Sequence, residues 1–505
     1  MARNRAYHDR IAEVSRRSVE KSSNYIVFSD VHLGADLVQH VRPWTLKRLK
    51  QAARVDRDLC AMIDWYRAHA DPEHPWRLVI AGDLVDFIGM SIAPEMGFEG
   101  ELNDEEREYG LGSTEAQATA KMRAVAKRHG HVFEKLAGFV ADGHAIALVR
   151  GNHDIDFHWA SAQRAFIEAL VDHRPELSDD VDARTQFEAR VEFFPWFFYV
   201  EGLLYVEHGH QFDAMCSYHH LLAPVSPLDP RRICWSFSDL LLRQIVRPTP
   251  GVGSEGHESR GIADYVRFGV SLGIRGAAKL FYRYVSATLS ALGRWRAYVG
   301  EKAAAIQREH ERQLDALAGR MRIGAEKFRA IAALWPRPVT SGGLPVLRSM
   351  FIDRMLFLSA AATIVTVTGL LIPAAYWAPL SLGLLAMSAG YWVWSARARH
   401  RDVDPRVQMH LAASYIAKVL PSRYVVMGHT HEPVAERVAD DVTYVNLGNW
   451  GVDDVDGPPG DEPPRTHLVL RWVGDRAEAA FLKWNPGEGP VPAMPLPRSL
   501  PPAAE

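Results

Sequence analysis

Seven side chains in five short stretches carry the chemistry this sequence can do. The stretches are SDVHLG (29–34), AGDLVD (81–86), RGNHD (150–154), EHGH (207–210) and MGHTH (427–431). Between them they offer Asp30, His32, Asp83, Asn152, His208, His429 and His431. Carboxylate, amide oxygen and imidazole make a donor set for borderline-hard divalent cations such as Mn²⁺, Fe²⁺ or Zn²⁺. No thiolate belongs to the set, which speaks against a structural zinc knot. Seven donors exceed the need of one tetrahedral ion. They suit two ions bridged by one carboxylate, about 3.5–4 Å apart.

Each stretch ends an apolar, β-rich run, and those runs must position the donors. YIVFSD (25–30), RLVIAGD (77–83) and AIALVRGNHD (145–154) each read as a strand with polar residues at its exit. Helical apolar spacing over 45–69 and 115–142 separates them, the alternation of an α/β domain with a mainly parallel sheet. Sites in such sheets form at the carboxyl ends of the strands. EFFPWFFYVEGLLYVEHGH (192–210) reads as two β-rich segments turning at Glu201 and Gly202. A helix is expected over 403–420. Strands then resume with YVVMGHTH (424–431), VTYVNLGNW (442–450), HLVLRWV (467–473) and AEAAFLKW (477–484).

In this order the five stretches resemble the motifs of the calcineurin-like metallophosphoesterase superfamily: D-x-H, G-D-x-x-D, G-N-H-D, a His followed by Gly, and G-H-x-H. The resemblance covers roughly residues 24–212 and 422–484 and implies an α/β fold, a two-sheet sandwich flanked by helices. It implies that Asp30, His32 and His431 hold one metal, that Asn152, His208 and His429 hold a second, and that Asp83 bridges both. Two divalent ions are the implied cofactors, with Mn²⁺ first and Fe²⁺ or Zn²⁺ as alternatives. They would lower the pKa of a bridging water, whose hydroxide attacks phosphorus in line. His153 would protonate the leaving oxygen or stabilise transition-state charge, and Asp154 would orient His153. Asp86 is expected to brace a ligand loop. His210 and Arg150 complete the candidates, beside the ligands or facing substrate. His219, His220 and His410 read as structural, Asn446 and Gly448 as shaping a turn, and Cys60 and Cys216 as plain packing residues.

Between the fourth and fifth motifs lies an insertion of roughly 180 residues, too long to be a structureless loop. Residues 213–350 read as helical and Arg-rich, and 351–397 as a transmembrane helical hairpin, with a buried helical hairpin inside a large soluble domain as the alternative. Its arms, Met355–Ile372 and Ala374–Trp394, each approach the roughly 20 residues needed to cross a bilayer. Pro373 makes the turn, and Tyr376 and Trp377 are interfacial anchors. Arg348 and Arg354 flank one end and Arg397, Arg399 and Arg401 the other, which places both ends, and the catalytic domain, on the cytoplasmic face. Two crossings also let the early and late ligands meet on one side. Upstream, Arg275, Lys279 and Arg283 form a basic stripe beside apolar Phe281, Val285, Leu289 and Leu292, a helix fit to lie on an anionic membrane or to face solvent.

The expected divisions are a polar segment at 1–23, the first part of the core at 24–212, the helical insertion at 213–350, the hairpin at 351–397, the second part of the core at 403–484, and a disordered Pro-rich tail at 485–505. The N-terminal residues lack the apolar stretch of a secretory signal. Three cysteines without C-x-x-C spacing make no disulfide framework. A formal net charge of -3 disfavours nucleic acid as a partner. The function expected is a metal-dependent phosphoester or pyrophosphate hydrolase held on a membrane, acting on a lipid-linked or nucleotide-type substrate. The layout is similar to the UDP-2,3-diacylglucosamine hydrolases, but GNHD and HGH stand where those enzymes carry G-N-R-D and H-G-D. The alternatives are a phosphodiesterase or phosphatase for nucleotides or phosphoproteins that the hairpin merely localises, and a membrane scaffold with an idle metal site.

Overall fold

The computed structural model describes residues 23–38, 44–92, 98, 100–249, 273–298, 300–350, 359–364, 366–367, 370, 377–402, 404–452 and 464–497. The expected N-terminal segment up to residue 22, half of the first hairpin arm with Arg354, the hairpin turn at Pro373 and Tyr376, and the end of the tail lie outside them.

Two sheets form a sandwich. The larger has seven strands: β1 (Asn24–Phe28), β2 (Trp76–Ala81), β3 (Ala145–Val149), β4 (Val191–Phe194), β10 (Thr466–Val473), β11 (Arg476–Asn485) and β12 (Gly489–Pro492), in the order β12-β11-β10-β1-β2-β3-β4. The smaller has five: β5 (Phe197–Val200), β6 (Leu204–Glu207), β7 (Tyr424–Met427), β8 (Val434–Ala439) and β9 (Val442–Asn446), in the order β5-β6-β7-β9-β8. β1 to β4 run parallel, and β10 to β12 continue the sheet antiparallel.

Alternation along each strand divides the core into layers. Tyr25 and Val27, with Val79, Ala81, Ala147 and Val149, face the second sheet and meet Leu204, Val206, Val426 and Val445. Ile26 and Phe28 point the other way, into a core shared with the helices. Helix α1 (Leu46–Ala68) supplies Val55, Leu59, Met62, Ile63 and Tyr66 to that core, one face at helical spacing. Its start is fixed by Thr45, whose hydroxyl accepts from Arg48 N.

Three sequence expectations need correction. The helix expected over 115–142 is two, Glu115–Arg128 and Gly130–Ala141. His129 breaks it because its ring bonds outside the helix, accepting from Gly34 N at 3.0 Å and meeting Asp56 at 2.9 Å. The insertion is not helical from its start: residues 213–236 contain no helix. Pro224, Pro227 and Pro230 deny that stretch a helical hydrogen-bond ladder. The tail is not disordered from residue 485: β12 pairs with β11, Trp484 opposite Pro490 and Leu482 opposite Pro492. An edge strand tolerates proline because only one of its sides needs donors.

The insertion leaves and rejoins the sheet at adjacent places. β6 ends before it and β7 begins after it, and the two pair in parallel, Tyr205 beside Val425. Closing the long excursion therefore costs the sandwich little register, since loop-closure entropy grows slowly with length. Helices Glu301–Met321, Ala325–Ala332 and Pro405–Val419 pack Leu314, Leu317, Phe328, Ile331, Met409 and Ile416 against the outer face of the smaller sheet. The second hairpin arm belongs to a helix spanning Trp377–Asp402, on which Leu382, Leu385, Met387 and Val393 are exposed. Among the described residues no helix is long and apolar enough to cross a membrane.

Candidate metal centre

Strand ends from both sheets meet at one place. Asp30 and His32 follow β1, Asp83 follows β2, Asn152 follows β3, His208 follows β6, and His429 and His431 follow β7. The loops are stitched to one another by backbone bonds. Val31 N and His32 N both donate to Asp83 O at 2.9 Å, Trp450 N and Gly451 N both donate to Asp30 O, and Gly428 N donates to His208 O.

The backbone is strained where donors are presented. Among the described residues six non-glycine positions have positive φ, and five of them are Asp30, His32, Asp83, His429 and His431. The left-handed region costs an ordinary L residue about 1–2 kcal/mol. Such strain persists only where the surroundings over-determine it, and it clusters at functional sites. Here it turns consecutive side chains of short loops toward one point.

Several of the candidate donor atoms lie close together. Asp30 Oδ1 lies 3.2 Å from His431 Nε2, 3.9 Å from His32 Nε2 and 4.0 Å from His208 Nε2. Asp83 Oδ2 lies 3.2 Å from His208 Nε2 and 4.0 Å from His32 Nε2, so this one carboxylate faces both groups. His208 Nδ1 donates to Ala81 O at 2.9 Å, which leaves Nε2 toward Asn152 Oδ1 at 3.1 Å. Backbone bonds from His153 N to Asp83 Oδ1 and from His429 N to Asp30 Oδ2 aim the two carboxylates.

A pair of cations fits these residues. His32 Nε2 is buried without a hydrogen-bond partner, and Asp30 Oδ1 is buried among imidazole nitrogens, an expensive arrangement unless something else is bound there. Burial works against charge on Asp30, but His208 and His431 outweigh it and hold the carboxyl at about 2. Asp83 likewise stays well below the carboxylate range, because His208 and His153 outweigh its burial. His208 is pushed up to about 9: burial opposes the charge, but Asp83 and Asp30 dominate. In the metal-free protein a proton on Nε2 thus occupies the direction in which a cation would lie.

The carboxylate that orients His153 is Asp86, which corrects the expectation for Asp154. Asp86 Oδ1 meets His153 Nδ1 at 2.7 Å. Asp154 instead accepts from Gly151 N at 2.6 Å and Leu84 N at 3.0 Å, and so joins the second and third motif loops. Buried beside Asp83, its carboxyl rises to about 7. Arg150 also turns away from the donors, to the carbonyl of Leu221, and ties the start of the insertion to the core. His210 lies next to the cluster, its ring 5.5 Å from His208, with both nitrogens buried and unpartnered. Burial, with His208 and His429 nearby, keeps it neutral.

Sequence reasoning missed the groups that come from the insertion. Asp213 Oδ2 lies 3.2 Å from His429 Nε2, which leaves Nδ1 of that ring for a cation. Cys216 joins Asp213 and His429 in one cluster, but burial and Asp213 keep it a thiol. Arg247 reaches Asp86. No motif flags these three, since all lie outside the five stretches that carry the donors. Asn446 holds the last turn, donating to Gly428 O and accepting from Gly448 N. His219 stacks on Tyr298, and His410 pairs with Glu436.

Residues 23–258 match the family model of the calcineurin-like phosphoesterases. The chain carries a calcineurin-like phosphoesterase domain. It is therefore a metal-dependent phosphoesterase, and the family implies two divalent metals and a phosphoester substrate. No curated protein matches the chain. The family match ends inside the insertion, yet β7, β9 and the fifth motif complete the phosphoesterase's smaller sheet and its donor set.

Proposed function

We propose that this phosphoesterase hydrolyses a phosphoester or pyrophosphate bond of a lipid-linked or nucleotide-type substrate while held at the cytoplasmic face of a membrane. The observation that carries the chemistry is the convergence of Asp30, Asp83 and His208 with Asp30, His32 and His431. Asp30, His32 and His431 would hold one cation, Asn152, His208 and His429 the other, with Asp83 between them. When bound, the cations neutralise phosphate oxygens and acidify water. His153 has Nδ1 engaged with Asp86, so Nε2–H is free to act. As a water oxygen bonds to phosphorus, the bond to the leaving oxygen breaks, and His153 Nε2 supplies that oxygen's proton. Its ring stands 4.6 Å from that of His32, close to the donors. Asp86 and Asp83 keep His153 charged against the effect of burial, at about 10.

Membrane attachment is supported by apolar surface exposed among the described residues of two helices. The helix Gly273–Ala297 has no acidic residue, buries Ala287 and Ala291, and exposes Phe281, Tyr282 and Leu289 on the opposite side. Arg275 and Lys279 border that face. Helix Pro405–Val419 exposes Val407, Leu411 and Tyr415 at four-residue spacing. Exposed apolar faces can mark interaction sites, and basic borders favour anionic headgroups. In this reading residues 351–397 make the hairpin that crosses the bilayer twice.

Two assays test the proposal separately. Membranes washed with carbonate should retain the protein; recovery in the soluble fraction removes the membrane part and leaves the chemistry. Detergent-purified, Mn²⁺-loaded protein should release UMP from UDP-2,3-diacylglucosamine if the substrate is lipid-linked. Cleavage of a generic aryl phosphodiester without UMP release would instead favour a soluble substrate.

A further inference from the structure

Asp86 is shared by three groups. Its Oδ1 receives His153 Nδ1 at 2.7 Å and Gly89 N at 2.6 Å. Its Oδ2 meets Arg247 Nη2 at 3.2 Å. Gly89 leaves room for this arrangement: a Cβ there would lie 2.0 Å from Asp86 Oδ2 and 2.3 Å from Arg247 Nη2.

Arg247 comes from the insertion, 161 residues downstream of Asp86. The helix Phe237–Leu241 runs into a π-helical turn, Leu242–Val246, closed by Arg247 N donating to Leu242 O at 2.9 Å. Such turns insert a residue, redirect the chain beyond them, and recur at functional sites. The arm that carries Arg247 is fixed without it. Ser236 and Asp239 form a capping box at its start. Tyr218 bonds to Asp239 Oδ2 at 2.9 Å and lies 3.2 Å from Asn152 O. Arg243 donates to Gly110 O. The guanidinium is thus delivered to Asp86 by a scaffold that is itself anchored on the phosphoesterase core.

We propose that Arg247 is a positioning residue: it fixes the Asp86 carboxylate so that His153 is aimed at the leaving oxygen, and it makes the insertion part of the catalytic apparatus. The inference rests on the hydrolytic role of His153 proposed above. A carboxylate held through one oxygen only can swing about its last torsion and carry the histidine with it. Held through both, it keeps the ring in one plane. Positioned groups lose rate steeply with misplacements of about 1 Å.

The test compares leaving groups in the full-length, Mn²⁺-loaded protein. A p-nitrophenolate leaves without a proton, whereas an alkoxide needs one. Arg247→Met keeps the stem and removes the fork. It should lower kcat on an alkyl phosphodiester by at least about tenfold, part of the 10²–10⁴ that general acid catalysis supplies. On the p-nitrophenyl diester kcat should fall far less, with KM unchanged on both. Arg247→Lys should restore part of the loss on the alkyl substrate and, if Arg247→Met does not fold, should by itself show the selective deficit. Equal losses on both substrates, no loss on either, or a rise confined to KM, which would mean direct substrate binding, would each overturn the positioning role. Wild-type protein inactive on both diesters would instead overturn the hydrolytic reading beneath it.

Discussion

Gly82 precedes Asp83 and sits under the His208 ring. Its φ is +87°, and a Cβ built on it would lie 2.5 Å from Nδ1 and 2.7 Å from Cβ of His208. Gly82→Ala therefore does two things. It places an L residue in the left-handed region at about 1–2 kcal/mol, offset by about 0.4–1 kcal/mol from the stiffer unfolded chain. It also forces the His208 ring away from Ala81 O, its orienting partner at 2.9 Å. Losing such an orienting bond costs about 10–100-fold in metal affinity, or roughly 1.4–2.7 kcal/mol. Gly143 separates the two effects: its φ is +95°, and nothing lies within 4 Å of its Cβ. Gly143→Ala should lose a similar small amount of stability in urea, without change in metal binding. Gly82→Ala should lose that stability and also bind Mn²⁺ more weakly by the stated factor, read by calorimetric titration. Equal Mn²⁺ affinity in the two variants would refute the placement of His208 as a ligand oriented through Ala81.

Asp86→Asn should lower turnover of a substrate with a poor leaving group by about 10²–10⁴-fold while leaving the bound metal unchanged; metal analysis alongside steady-state rates checks both halves. Because His208 stands at about 9 in the metal-free protein, a proton must leave it before a cation can bind. Mn²⁺ affinity should therefore rise by about tenfold per pH unit below that value and level off above it; affinities at pH 6.5, 7.5 and 8.5 give the slope, and a flat profile would contradict it. Trp450 is fully buried against Phe28, and its indole donates to Thr466 O at 2.7 Å. Trp450→Ala should cost about 3–5 kcal/mol in chemical denaturation, as a cavity under the Asp30 loop.

The donor set was legible because each donor directly follows an apolar β-run, and the chain order of those runs fixes where the strands end. Asp30, Asp83 and Asn152 could be placed at the carboxyl ends of parallel strands from residue types and spacing alone. The partner of His153 could not. Asp86 and Asp154 both stand in the motifs beside it, and only the loop path decides that one touches the ring and the other two backbone amides. Asp213 and Arg247 were invisible for a different reason. Their contacts span 216 and 161 residues, and no local periodicity encodes a long-range pairing. The break at His129 was missed because the residues on both sides keep helical spacing; the bonds to Gly34 and Asp56 override it. The strand at Gly489–Pro492 was hidden by its prolines, which argue against a central strand but not against an edge.

The most direct test of the metal-dependent reading is one preparation assayed twice: Mn²⁺ content and hydrolysis of a p-nitrophenyl phosphodiester, for the wild type and Asp83→Ala. The expected result is about two ions and metal-dependent turnover in the wild type, with fewer ions and no turnover in the variant. Turnover that survives both chelation and the loss of Asp83 would contradict the assignment of this cluster as the catalytic centre.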